Sequence, residues 1–118
     1  MEARIVRVLV VDDHFGVAQT VAAALRQLGA SVATAESVAT AEPLLRVFAP
    51  DVVITDIYMP GGSGFEMLQA VRRWRAATPV VAMTAAADVP DLDEAGFVRV
   101  LRKPLRLEAL ASVLREFL

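Results

Sequence analysis

The chain has 118 residues, 56% of them hydrophobic, a net charge of −2 and no cysteine. That length and hydrophobicity fit one domain with a real apolar core and exclude intrinsic disorder. The near-neutral charge leaves no electrostatic footprint for nucleic acid, and the lack of cysteine removes disulfides, thiolate metal sites and a Cys nucleophile. No apolar stretch approaches the ~20 residues of a membrane-spanning helix, and the short apolar run near Met1 does not make a signal peptide. A cytoplasmic location is expected.

Residues 5–11 are β-branched and nearly all apolar, which predicts a strand buried on both faces, closed by Asp12, Asp13 and His14. Residues 17–28 place Val17, Val21, Leu25 and Leu28 at helical spacing, with Gly29 as the C-cap. A second strand covers 31–35. Ser37 or Thr40 caps a second helix running to about Phe48, and Pro43 within it predicts an irregular start. The third strand, 51–55, ends at Asp56 and gives way to a loop holding Pro60, Gly61, Gly62 and Gly64. A third helix over 65–76 offers Met67, Leu68, Val71 and Trp74 as its apolar face, with Arg72, Arg73 and Arg75 at its exposed end. The fourth strand is 79–84. Residues 91–95, after Pro90, hold two helical turns at most. The fifth strand is 97–101, broken by Lys103-Pro104. A closing helix spans 107–118, with Leu107, Leu110, Val113, Leu114 and Phe117 inward.

This alternation predicts an α/β fold: a single doubly wound, flavodoxin-like five-stranded parallel sheet, order 2-1-3-4-5, with helices on both faces. Its crevice lies between strands 1 and 3, at their carboxyl ends. Asp12 and Asp13 end strand 1, Asp56 ends strand 3, Thr84 ends strand 4 and Lys103 follows strand 5. Three carboxylates together repel one another unless a cation intervenes, and oxygen ligands suit a hard ion such as Mg2+. A metal, a lysine and a hydroxyl around one carboxylate match what a phosphoryl group requires, with Asp56 as the nucleophile of an acyl phosphate. Each residue alone has an ordinary explanation: Asp12 as a helix cap, Thr84 as a strand end, Lys103 as a solvated lysine. Their joint placement at one end of one sheet carries the argument.

The same residues resemble the receiver domain of two-component response regulators, over essentially the whole chain, residues 1–118. The run VLVVDD, residues 8–13, resembles the family's opening strand and acidic pair. DIYMPGGSG, residues 56–64, resembles its phosphoacceptor motif, Asp-x-x-Met-Pro-x-x-x-Gly. Met83-Thr84-Ala85, Ala95-Gly96 and Lys103-Pro104 resemble its switch hydroxyl and the approach to its lysine. The resemblance implies that Asp56 accepts a phosphoryl group from a phosphohistidine on a sensor histidine kinase or phosphotransfer protein. It implies Mg2+ held by Asp12, Asp13, Asp56 and the backbone carbonyl of Tyr58. Lys103 pairs with the phosphoryl oxygens, Thr84 carries the signal outward, and the Lys103-Pro104 bond corresponds to one that is often cis. Such a domain is not an enzyme acting on a separate substrate, though it catalyses its own phosphoryl transfer and hydrolysis. Direct nucleic-acid or membrane binding is not expected of it.

Two departures stand out. Val100 occupies the position, three before the lysine, where the family usually has an aromatic residue; Phe97 is nearby but is expected on the other face of the strand. The interval from Thr84 to Lys103 is about one helical turn short, which predicts a stunted fourth helix and output by a non-standard route. Asp88, Asp91, Asp93 and Glu94 against Arg99, Arg102 and Arg106 read either as a homodimer face through the fourth helix, fifth strand and closing helix or as an ordinary solvated surface, where ion pairs contribute little. His14 reads as a solvated helix-start residue or a gate to the site, and a bulky Tyr58 beside the path of an attacking water is expected to slow hydrolysis. The competing functions are a hydrolase of the haloacid dehalogenase type, which needs a second acid where Tyr58 stands, and a pure interaction domain.

Overall fold

A computed structural model describes residues 4–85 and 95–117. In chain order the elements are β1 (Arg7–Val11), α1 (Phe15–Gln27), β2 (Ser31–Ala35), α2 (Val38–Val47), β3 (Val52–Asp56), β4 (Tyr58–Met59), β5 (Gly62–Ser63), α3 (Gly64–Trp74), β6 (Val80–Thr84), β7 (Arg99–Arg102) and α4 (Leu107–Glu116). Five strands form one parallel sheet in the order β2-β1-β3-β6-β7. Counting only these five, this is the expected 2-1-3-4-5 order. The additional β4 and β5 make a small antiparallel hairpin around Pro60-Gly61, where Gly61 has φ 74°, as the third position of a type II turn requires.

The central strands explain the apolar runs. Every residue of β3 and β6 is buried, as are Val8 to Val11 of β1, because helices cover both faces. Leu9, Val11, Val53, Val80 and Ala82 face α2 and α3, packing with Ala41, Leu45, Met67 and Val71. Val8, Val10, Ile54, Val81 and Met83 face α1 and α4, packing with Val21, Leu25, Leu110 and Val113. Each fully buried Leu or Val contributes about 1.5–3 kcal/mol by leaving water.

Helix ends follow local chemistry. α1 stops at Gly29, whose φ of 98° permits the bonds from Ala30 N–H to the Leu25 carbonyl and from Gly29 N–H to the Arg26 carbonyl. Ser37 caps α2 in a reciprocal capping box with Thr40. That box starts the helix cleanly at Val38, so the expected irregular start is absent and Pro43 sits within a regular helix. Ile5 lies before the first paired residue of β1 and is exposed. Leu107, expected inward, is exposed because it is the first residue of α4 and precedes its buried stripe of Leu110, Val113 and Leu114. Val17, Leu28 and Trp74 are also partly exposed; Ala18 and Ala22 take the inner face of α1 with Val21 and Leu25. Trp74 instead lies on the surface, its indole N–H donating to Glu42 Oε2 and its ring facing Arg46.

Phe97 and Val100 lie on the same side of the sheet, against expectation. Both pack with the α2–α3 layer, whereas Leu101 packs with the α1–α4 layer. Phe97 precedes β7, so strand alternation does not reach it; its ring meets Phe65 edge-on at 5.6 Å. The expected short helix over 91–95 lies outside the described residues except for Ala95. So do Asp88, Asp91, Asp93 and Glu94 of the suggested homodimer face. Of its basic partners, Arg99 is engaged within the chain, donating to Glu116 Oε2 at 2.7 Å and Ser112 Oγ at 3.0 Å.

Candidate functional site

Sheet register builds the site. Val11 pairs with Ala35 on one side and Thr55 on the other, which sets Asp12 level with Asp56. Asp56 pairs with Met83, and Thr84 pairs with Arg102, so Thr84 and Lys103 close the same end of the sheet. Asp12 N–H donates to the Ala35 carbonyl and Lys103 N–H to the Thr84 carbonyl, fixing the strand ends beyond the ladders. The Lys103-Pro104 peptide is cis.

Asp12, Asp56 and Thr84 are buried, at 0%, 6% and 1% exposure. Lys103 Nζ donates to Asp12 Oδ2 at 2.9 Å and to Asp56 Oδ2 at 3.2 Å. Burial pushes the Asp56 carboxyl above its ordinary value; the hydrogen bond and charge of Lys103 oppose this, and the Asp12 charge adds to it. Burial alone would lower the Lys103 ammonium, but its bonds to the two carboxylates outweigh burial and raise it. One ammonium thus holds together two buried acids, one of which resists ionisation.

Asp13 completes the acidic set. Ligand atoms of Asp12, Asp13, His14 and Asp56 all lie within 4.8 Å of one another. Asp13 Oδ1 is buried with no hydrogen-bond partner. A cluster of hard oxygen donors, one of them without a donor to satisfy it, fits a cation such as Mg2+. Asp12 is not the helix cap: His14 is the N-cap of α1, and Asp12 Oδ1 accepts from His14 N–H at 2.9 Å. His14 also turns toward the acids, its Nδ1 3.3 Å from Asp12 Oδ1 and 3.4 Å from Asp13 Oδ1. Tyr58 lies in β4, two residues beyond Asp56, with an exposed side chain.

The sequence does not single out Thr55, and it marks Gly64 only as a loop and motif glycine without its contact. Thr55 is buried, its hydroxyl donating to the Asp56 carbonyl at 3.0 Å. Gly64 is pressed against the end of β3: a Cβ there would lie 2.7 Å from the Asp56 carbonyl oxygen and 3.0 Å from Ile57 Cα. A glycine where a flexible loop meets a helix is the available sequence signal for such an approach.

Comparison with known proteins agrees with this architecture. The family model for the response regulator receiver domain matches residues 8–115. The chain is 38% identical over 120 residues to the virulence sensor protein BvgS of Bordetella pertussis, covering 93% of this chain and 10% of that protein. It is 35% identical over 116 residues to the probable transcriptional regulatory protein TcrX of Mycobacterium tuberculosis, covering 96% and 50%. The chain thus spans half or less of the length of these curated relatives. Among solved structures, the chemotaxis response regulator CheY4 of Vibrio cholerae superposes with a TM-score of 0.85 at 31% identity, covering 98% of this chain and all of that one. The family match runs from the first strand to the last helix and takes in every element that lines the pocket: the chain belongs to the response regulator receiver domain family.

Proposed function

We propose that residues 1–118 act as one receiver domain whose phosphoacceptor is Asp56. The observation that carries this reading is the buried Asp56 carboxylate at the end of β3, bonded to Lys103 beside a metal-sized acidic cluster. The donor is a phosphohistidine of a sensor kinase or phosphotransfer protein. An Asp56 carboxylate oxygen attacks phosphorus, the P–O bond forms as the P–N bond breaks, and the electron pair leaves with the donor imidazole. Lys103, already between Asp12 and Asp56, neutralises charge on the phosphoryl oxygens, and Thr84 at the adjacent strand end supplies a hydroxyl. Asp12, Asp13, Asp56 and the Tyr58 carbonyl would hold Mg2+, which supplies further neutralisation of the transferring group. The domain thus catalyses its own phosphorylation and hydrolysis, in the cytoplasm with its donor, and its output is a change in partner affinity. It binds neither nucleic acid nor membrane directly.

Tyr58 in place of a second acid disfavours a haloacid dehalogenase-type hydrolase, which needs an acid/base there. The test is intact-protein mass spectrometry after incubation with acetyl phosphate, with and without Mg2+, on the wild type and Asp56→Asn. One added phosphoryl group that requires both Mg2+ and Asp56 is expected. An adduct that persists in Asp56→Asn, or no adduct in a protein that binds Mg2+, overturns the assignment.

A further inference from the structure

His14 is the pocket side chain that phosphoryl transfer leaves without a task. It is exposed over 68% of its surface, yet its Nδ1 faces two carboxylates, 3.3 Å from Asp12 Oδ1 and 3.4 Å from Asp13 Oδ1. The imidazole does not serve the helix it begins: His14 is the N-cap of α1, but its side chain makes no capping bond. Its backbone is tied down, N–H to Asp12 Oδ1 and carbonyl to Ala18 N–H, so the ring is carried by a fixed residue. Lys103 bonds different oxygens, Asp12 Oδ2 and Asp56 Oδ2. The imidazole thus contacts Asp12 Oδ1, which Lys103 leaves alone, and lies beside Asp13 Oδ1, the buried oxygen without a hydrogen-bond partner, within the 4.8 Å cluster.

We propose that His14 Nδ1 is a nitrogen ligand of this metal site and biases it away from Mg2+ toward borderline divalent cations such as Zn2+ and Co2+. The inference rests on reading the acidic cluster as the metal site. Mg2+ prefers oxygen and gains little from an imidazole, whereas Zn2+ and Co2+ bind imidazole readily alongside carboxylates. Ligation uses the Nδ1 lone pair of the neutral ring: any proton on Nδ1 leaves to solvent, and Nε2 keeps its hydrogen. The chain offers no rival, since His14 is its only histidine and it has no cysteine.

That single histidine is also the reporter. Protein labelled with 15N only at histidine is titrated with Zn2+ and, separately, with Mg2+, and affinities for both ions are measured by calorimetry on the wild type and His14→Ala. The variant removes an exposed side chain that makes no cap, so folding is retained, and its circular dichroism checks this. Zn2+ is expected to shift the Nδ1 resonance far more than Nε2, while Mg2+ shifts neither strongly. His14→Ala is expected to lose about tenfold or more in Zn2+ affinity with Mg2+ affinity little changed. Equal Zn2+ affinities with an unshifted ring, while Mg2+ still binds, overturn the role of His14 alone. No binding of either ion by the folded wild type overturns the metal site itself, and this inference with it.

Discussion

Replacing Gly64 with Ala tests whether the Asp56 end of β3 is held by direct backbone contact with α3. The added Cβ would lie 2.7 Å from the Asp56 carbonyl oxygen, 2.9 Å from Ile57 Cδ1 and 3.0 Å from Ile57 Cα. Two of these atoms are backbone, and Ile57 is fully buried, so no flexible tip can swing away. Inserting a methyl into such a contact costs about 1–3 kcal/mol, and the stiffer unfolded chain returns about 0.4–1 kcal/mol. The expected net loss is about 1–2 kcal/mol. With an unfolding entropy of about 2.1 cal/mol/K per residue, a chain of 118 residues loses about 4 °C in Tm per kcal/mol, so a fall of about 4–8 °C is expected. Thermal unfolding followed by circular dichroism measures it. Gly16→Ala is the control: nothing lies within 4 Å of its added Cβ, so its Tm is expected to be unchanged or slightly raised. The same Gly64 variant should slow labelling by acetyl phosphate, because relief of the clash moves Asp56 relative to Lys103. A Gly64→Ala protein as stable as the wild type would refute the reasoning.

Without Mg2+, Asp56→Asn is expected to raise Tm at neutral pH. The folded state raises the Asp56 pKa, so its contribution to stability is present below the unfolded value of 3.8 and is lost as pH rises through the folded value. The Asn variant escapes that loss, so its advantage should shrink toward pH 3 in a pH series of melts; an advantage that grows on acidification contradicts the sign. Lys103→Met leaves Asp12 and Asp56 buried without their shared ammonium, and about 3 kcal/mol or more of stability should disappear in metal-free buffer, read by urea unfolding. A Lys103→Met midpoint within error of the wild type would mean that the pair is not electrostatically held. Tyr58→Ala is expected to dephosphorylate faster once loaded, followed by loss of the phosphoryl mass; equal rates would remove Tyr58 from control of the attacking water.

Much of the fold was legible because burial on two faces leaves an unmistakable pattern. The runs ending at Val11, Ile54 and Met83 are apolar at every position, and only central parallel strands require that. Asp12, Asp13 and Asp56 are legible for a related reason: they follow such runs, where the chain leaves the core, whereas Lys103 follows the mixed edge strand Arg99–Arg102 and is marked by Pro104 instead. Errors gathered where that pattern stops. Ile5 and Val6 are apolar too, beyond the break at Arg7, but the partner strand begins opposite Arg7, so Ile5 is left outside. Strand alternation puts Phe97 on the face opposite Val100, but Phe97 lies before β7, so alternation does not govern it and it packs on the same side. The orientation of His14 and the close approach of Gly64 depend on which atoms face one another after folding, and spacing along the chain carries no record of either.

Lys103 bonds to Asp12 across 91 residues of sequence and rides just beyond β7, a strand paired on one side only. Its ammonium reaches the acids only after β1, β3, β6 and β7 have all aligned. During synthesis, Asp12, Asp13 and Asp56 emerge well before the cation that steadies Asp12 and Asp56, so a partial chain carries carboxylates without their counterion. Any later detachment of the edge strand withdraws the same ammonium while leaving the rest of the sheet paired. The pocket therefore reports on the completeness of the domain: its charge balance exists only in a chain folded through to its final quarter.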